Sequence, residues 1–445
     1  MADLPGGIPS DHYLALSRLE GLLGVSESAY DTTILAAHDF DVDNRTGFKP
    51  PQLPPARLPL AFEAWETALD EATAADLQLG DRSGITQAQI DASETWRERL
   101  SVLETTPLER SETDLRRAHL VLAWIMHFYI HSLPPDVPIV VPAPVTIPHF
   151  KICAQLQLPP VLTYSDTVLY NWRLKTPSRR VTPALDNLVS NTLFTGTNDE
   201  QEFYLTSARM ELRGVEALDL MRSTMDEAFV GDDIAMRRIT GYLERLAVVI
   251  DDLKTLLAGV RDGCDPSAFY NDIRPWFRGE DSDPAKRRWV FEGLDEEDYP
   301  TELSGPSAGQ SSLIHALDVF LGVHEFSHAP GLTGSSKSTA FLERMQSYMP
   351  RHHRNFLTHL SVNPRPLRGI VESDEKLLAA YNLAIQALKR LRDYHITIVT
   401  SYIIQPARRK EKETQQQPAL KGTGGTDLAK FLKAVRDRTA AAVIE

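Results

Sequence analysis

The chain has 445 residues, 42% of them hydrophobic and 24% charged, enough to bury a sizeable core and too apolar for a disordered tail. Its 47 basic and 61 acidic residues leave a formal charge of −14, a sign that repels phosphate backbones and anionic lipid and argues against nucleic-acid or membrane partners. Two cysteines, Cys153 and Cys264, stand outside any CxxC spacing, which excludes a disulfide framework, a zinc ribbon and covalent c-type haem attachment and fits a reducing compartment.

The start, Met1 to Gly7, carries neither a basic nor an apolar signal region, so a cytoplasmic protein is expected. A turn cluster at Asp41 to Gly47 precedes a proline-rich arm, Pro50 to Pro55, which favours extended geometry and is expected to wrap a surface. Helical spacing takes over from Leu60. Ser111-Glu112-Thr113-Asp114 reads as an N-terminal cap for a helix through Leu120 to Ile130, an apolar stretch far short of the roughly 20 residues of a bilayer span. Residues 134 to 150, with six prolines, are expected to break that helix, and Ile139-Val140-Val141 there gives a strand-like patch with one further short partner. Beyond residue 200 helical periods cover Glu202 to Met225, Asp232 to Val260, Ser311 to Phe326, Thr339 to Met349 and Asp374 to Ile403. Residues 278 to 310 and 405 to 426 read as long connections, and no repeat occurs at a fixed period.

In the last of these periods Leu377, Tyr381, Ala384, Leu388, Leu391, His395, Ile398 and Tyr402 recur at alternating spacings of four and three, one core-facing line. An imidazole in that line needs a hydrogen-bond partner or a metal, so His395 is either a satisfied core histidine or an axial ligand; Arg392 lies nearby and invites an acid from another helix. His324-Glu325-Phe326-Ser327-His328 matches the zinc-protease spacing H-E-x-x-H, but Pro330 and Gly331 follow at once and no third-ligand motif appears downstream, which favours a polar helix end. Gly422-Thr423-Gly424-Gly425-Thr426 lacks P-loop spacing and is either a linker or a mobile lid. Phe203, Ser207 and Glu211 share one helix face, and Phe269-Tyr270 stand one turn before Arg274. Together they could hold a flat aromatic amino acid between rings, its carboxylate on the guanidinium.

These segments resemble the indoleamine 2,3-dioxygenase family. The resemblance runs over roughly residues 120 to 440 and rests on Ser307 to Ser312, Tyr348-Met349-Pro350 with His353 to Leu357, Tyr394-His395 within Arg392 to Tyr402, and Lys421 to Leu428. Weaker agreement covers Leu158 to Asp166 and Asn171-Trp172. It implies a mostly α, two-domain haem protein: a small N-terminal domain with little strand over 1–194, and a larger all-helical haem-binding domain over 195–445 that includes a mobile Gly-rich loop, 405–426.

By that resemblance the cofactor is haem b, His395 is the proximal iron ligand, and Asp318 pairs with Arg392 to support the ligand helix. Phe203, Ser207, Phe269, Tyr270 and Arg274 match the aromatic, hydroxyl, stacking and carboxylate-clamp positions; Tyr164, Ser307 and Ala308 match the remaining wall, and Thr423 the closing loop. Pro306, Thr167 and Ile314 depart from the family's usual Gly, Cys and Phe. The implied reaction inserts both atoms of O2 into the indole 2,3-bond of L-tryptophan to give N-formylkynurenine, in a monomer served by an electron donor. Two alternatives stand beside it: a low-activity haem-binding or signalling protein of the same fold, and a zinc hydrolase built on His324, Glu325 and His328.

Overall fold

The computed structural model describes residues 40–178, 183–324, 335–362, 366–372, 374–414 and 428–445. The architecture is mostly helical. Helices α1 (Glu63–Ala74), α2 (Gln87–Arg97) and α3 (Glu112–His131) open it, and α3 carries the expected cap, with Ser111 Oγ accepting from the Asp114 amide at 3.2 Å. Nearly every side chain of α3 is buried, which is why its sequence is apolar all round rather than striped.

Helix α3 ends at His131, before the proline-rich stretch, as expected, and strand β1 (Ile139–Val141) forms within that stretch. Two of the six prolines, Pro144 and Pro148, then lie inside a further helix, α4 (Ala143–Leu156). Pro144 lies in the first turn, where backbone N–H groups have no intrahelical acceptor anyway, so only Pro148 forfeits a helical hydrogen bond. Strands β2 (Arg173–Leu174) and β3 (Leu188–Val189) make a short antiparallel pair.

The expected helix from Glu202 to Met225 is two helices, α5 (Asn198–Arg213) and α6 (Val215–Val230), divided at Gly214. A Cβ at that position would lie 2.2 Å from Leu313 Cδ2, so any larger residue would force Leu313 on the later helix to shift. Helix α7 (Asp233–Ala258) follows. The long connection after it contains β4 (Trp289–Phe291), which pairs in parallel with β1, Ile139 opposite Trp289. This is the partner strand the sequence left unlocated.

Helix α8 (Ser312–Phe320) ends six residues short of its expected limit, because Gly322, at φ +66°, takes a left-handed conformation that stops the helix. Helices α9 (Ser335–Gln346), α10 (Arg351–Ser361) and α11 (Leu367–Val371) lead to α12 (Glu375–Val399). Residues 405–414, expected as part of a loop, continue as helix α13 (Gln405–Thr414): the Arg, Lys and Glu that signal a solvated loop are also good helix formers. Helix α14 (Leu428–Ala441) packs against α12, and α12 also lies along α7. The buried apolar side chains, from Phe48 to Ala442, form one continuous cluster. No described helix is long and apolar enough to cross a membrane.

Among the described residues, three single π-helical turns interrupt this framework, at Ser165–Leu169, Phe269–Ile273 and Thr400–Ile404. Each widens the backbone by one residue per turn, a device common at functional sites. One follows Tyr164, the second begins at Phe269, and the third carries Tyr402.

Candidate active site

Helix α12 is started by Asp374, whose Oδ1 accepts from the amides of Lys376 and Leu377 at 2.9 Å each. Leu377, Tyr381, Ala384, Leu388 and Leu391 are buried along the expected line, as are Ile398 and Tyr402 beyond it. His395 is half-buried in this line, and its ring makes no hydrogen bond to a described residue. Burial, with the Arg392 charge added, pushes its pKa down to about 4, so at neutral pH the imidazole is uncharged and has a lone pair available for coordination.

Arg392 meets the acid the sequence asked for. Its Nη2 donates to both carboxylate oxygens of Asp318 on α8, at 2.5 and 2.6 Å, and Nη1 reaches the Thr439 hydroxyl on α14. Both side chains of the pair are largely buried, so three helices are tied together one turn before His395. His315, also on α8, connects this side to the Ser307–Ala308 segment. The Gln346 amide donates to its Nδ1 at 3.3 Å, so Nε2 carries the proton and donates to the Gly309 carbonyl at 2.9 Å. Ser307 is half-buried and Ala308 exposed, while Pro306 is buried and Ile314 half-buried.

On the other side, the rings of Phe203 (α5) and Phe269 lie 4.4 Å apart, centroid to centroid, and Phe277 stands 6.0 Å from Phe203. Phe269 also meets Tyr402 at 5.8 Å, and Tyr402 Oη donates to the Cys264 carbonyl at 2.6 Å, so the segment bearing Phe269 is fixed to the extension of the His395 helix. The Arg274 guanidinium lies 5.7 Å from the Tyr270 ring centre. Burial, with Arg278 nearby, lowers its pKa to about 10, which leaves it charged at neutral pH.

Beneath this wall runs a polar network. Tyr164 Oη donates to Glu211 Oε1 at 2.8 Å, Ser311 Oγ donates to the same oxygen at 2.8 Å, and the Ser207 hydroxyl lies near Tyr164. Burial raises the Tyr164 pKa well above its ordinary value, and the Glu211 carboxylate adds to it. Burial likewise pushes the Glu211 carboxyl up. The Tyr164 amide donates to Gln310 Oε1 at 2.8 Å, which anchors the turn after Ala308. Thr167 is buried, its hydroxyl turned back onto the Thr163 and Tyr164 carbonyls at 3.3 and 3.4 Å.

Among the residues the sequence singled out, Phe203 with Phe269, Tyr164 with Glu211, and Asp318 with Arg392 are in contact. Thr423 and the Gly422–Thr426 segment lie outside the described residues, as do Glu325 and His328 of the H-E-x-x-H motif. His324 is described and stands past the end of α8. Sequence reasoning missed Lys49: its ammonium group is fully buried, donates to the Val168 carbonyl at 2.6 Å, and interacts with the Glu211 charge. No motif marks it. Tyr402 was legible as part of the apolar line, but its role against Phe269 was not. A separate cleft of about 430 Å3, reaching from Gln78 and Arg82 to Asp272 and Trp276, contains none of the singled-out site residues.

The architecture and comparisons with known proteins together make this chain an oxidoreductase, a dioxygenase by class. A family model described as indoleamine 2,3-dioxygenase matches residues 36–442, and the chain belongs to that family. It is 32% identical to indoleamine 2,3-dioxygenase 1 of Mus musculus over 417 residues, 91% of this chain and 95% of the mouse protein. It is 34% identical to the indoleamine 2,3-dioxygenase of Saccharomyces cerevisiae, over 74% of this chain and 78% of the yeast one. A 6-hydroxytryptophan 2,3-dioxygenase of Fusarium equiseti is 28% identical over 89% of this chain and 95% of its own.

Proposed function

We propose that the protein binds haem b through His395 and inserts both atoms of O2 across the indole 2,3-bond of L-tryptophan, giving N-formylkynurenine, the first step of the kynurenine pathway. The observation that carries this reading is the neutral His395 imidazole, without a protein hydrogen-bond partner among the described residues, in the apolar line of α12. An uncharged imidazole nitrogen with its lone pair free is the donor that would hold a haem iron. The haem, when bound, supplies the dioxygen activation that no side chain provides.

The remaining work falls to the chain itself. Asp318 and Arg392 fix the orientation of the ligand helix. Arg274 receives the amino acid's carboxylate, Phe203 and Phe269 flank the indole, and Tyr270 stacks beside the clamp. Tyr164, Ser307 and Ala308 complete the wall, and Thr423 closes over the bound substrate and excludes water. Attack at an unsaturated carbon pair requires no prior removal of a C–H proton, so Ser207 hydrogen-bonds and shapes the site rather than acting as a base. The chain divides near residue 194 into a small N-terminal part and a larger helical part that carries His395. It works as a cytoplasmic monomer with an electron donor that keeps the haem reduced.

The test is an absorption spectrum of the purified protein with and without L-tryptophan and carbon monoxide, followed by turnover of L-tryptophan and 6-hydroxytryptophan by the reduced protein. A Soret band that responds to both ligands, with N-formylkynurenine formed, is the expected result. Protein that stays colourless after reconstitution with haem defeats the reading. Full haem occupancy without turnover of either substrate leaves a haem-binding protein that is not a catalyst.

A further inference from the structure

Outside this site, α3 and α4 bring three metal-binding side chains together in the interior. His119 and His149 are 0% exposed and Cys153 is 4% exposed. One donor atom from each lies within 4.8 Å of the other two. His149 and Cys153 are four residues apart on α4, so they share a helix face, and His119 meets them from α3 with the two imidazole centres 5.1 Å apart.

The second observation is an unmet need. Both ring nitrogens of His149 are buried, and neither has a hydrogen-bond partner among the described residues. Asp166 accounts for one nitrogen of His119, but nothing among the described residues accounts for His149. An ion among the three donors takes one of those nitrogens as a ligand.

The third observation is the group behind His119. Its Nδ1 lies 2.8 Å from Asp166 Oδ1, and Asp166 Oδ2 is held by the Thr163 amide and hydroxyl at 2.8 and 2.7 Å. A carboxylate on one imidazole nitrogen, itself anchored, is the usual support for a histidine whose other nitrogen binds metal. Here that other nitrogen, Nε2, has only a long contact of 3.3 Å to the Pro159 carbonyl.

We propose that His119, His149 and Cys153 form a buried zinc site, with Asp166 orienting His119. Two imidazoles and a thiolate suit a borderline-soft ion and exclude Mg2+ or Ca2+, which take oxygen donors. Charge also balances: Zn2+ with the Cys153 thiolate and the Asp166 carboxylate sums to zero, which a closed interior requires. Binding converts the Cys153 thiol to thiolate and releases its proton. Tetrahedral zinc places sulfur and nitrogen ligands roughly 3.5 Å apart, so the three donors close by about 1 Å when loaded. The ion ties α3 and α4 to the π-helical turn that begins directly after Tyr164, and so braces the substrate wall from behind.

The test is elemental analysis of the haem-loaded full chain expressed in zinc-replete medium. About one zinc per chain is expected, independent of iron content. Cys153→Ser and His149→Phe each reduce it to below about a tenth, while His328→Gln leaves it unchanged and so separates this site from the H-E-x-x-H motif. Should either variant fail to fold, refolding Cys264→Ser with Co2+ decides: the single remaining thiol gives a thiolate-to-cobalt charge-transfer band if Cys153 is a ligand. Zinc absent from the wild type even after refolding in Zn2+, zinc retained in both folded variants, or no cobalt band would each overturn the proposal.

Discussion

On one side of the site, His395, Arg392 and Tyr402 come from a single continuous helical run, with Arg392 held by Asp318 and Thr439 from two other helices and Tyr402 by the Cys264 carbonyl. On the other side, Tyr164, Phe203, Phe269 and Ala308 come from four separate stretches, joined by ring contacts and by hydrogen bonds through Glu211 and Gln310. The first side is one rigid element with an ion-pair support. The second is assembled, and its precision depends on buried polar bonds between elements that have no sequence continuity. This suits the division of labour proposed above: a fixed donor opposite a wall whose shape sets which ring it accepts.

The contrast is tested most severely at its first member. His395→Ala should abolish stable haem binding while leaving the far-ultraviolet circular dichroism of the helical framework in place. Full haem occupancy in the folded variant would move the ligand elsewhere, with His353 and His324 the next candidates. On the assembled side the largest effect belongs to Arg274. Its replacement by Met leaves a desolvated substrate carboxylate without its cation, a loss on the order of 2 to 5 kcal/mol, or roughly 30- to 4,000-fold in kcat/KM. The loss should appear in KM if the clamp only binds, and a change confined to kcat would contradict that role.

Asp318→Asn sharpens the same comparison from the supporting layer. It strands the Arg392 charge between three helices, for which about 3 kcal/mol of stability is expected from the behaviour of nearly buried pairs. A merely structural role ends there. A positioning role also shifts the iron–histidine vibration of the reduced haem protein, and the absence of such a shift would reduce the pair to helix packing.

How much of this the sequence disclosed follows the same line. The α12 side was legible because a buried face on one helix writes itself as a period, and Arg392 called for an acid before Asp318 was located. The wall was visible only as local pairs, Phe203 with Ser207 and Phe269 with Arg274, because nothing in one dimension says that Gln310 will receive the Tyr164 amide. An error arose where one residue type has two uses: the charges of residues 405–414, read as loop, belong to α13. Lys49, fully buried 119 residues away from the carbonyl it bonds, carries no local signal at all.

Lys49 gives the assembled side a pH signature above neutrality, whereas that of His395 on the α12 side lies below it. Burial lowers the Lys49 pKa from 10.5 to about 7, against a smaller opposing pull from Glu211. Between those two values the unfolded chain holds a proton that the native chain has shed, so the stability of the protein rises with pH across that window. Chemical denaturation as a function of pH should show this rise, and Lys49→Met should remove it. A rise that survives the substitution would mean that the lysine keeps its charge on the polar network in the folded state.

The smallest effect is expected at the residue most exposed to mechanistic over-reading. Ser207 stands beside the flanking rings, within reach of Tyr164 and through it of Glu211, which has the form of a proton relay. Form alone does not give it that work. Burial raises the pKa of both Tyr164 and Glu211, but a ring opened at an unsaturated carbon pair has no C–H proton to surrender first, so there is nothing for such a relay to carry. Ser207→Ala should therefore change kcat/KM by no more than about threefold, below about 0.7 kcal/mol, and leave its pH profile in place. A loss of 10²-fold or more, the lower bound for a general base, would bring Tyr164 and Glu211 into the chemistry and turn the polar network from scaffold into participant.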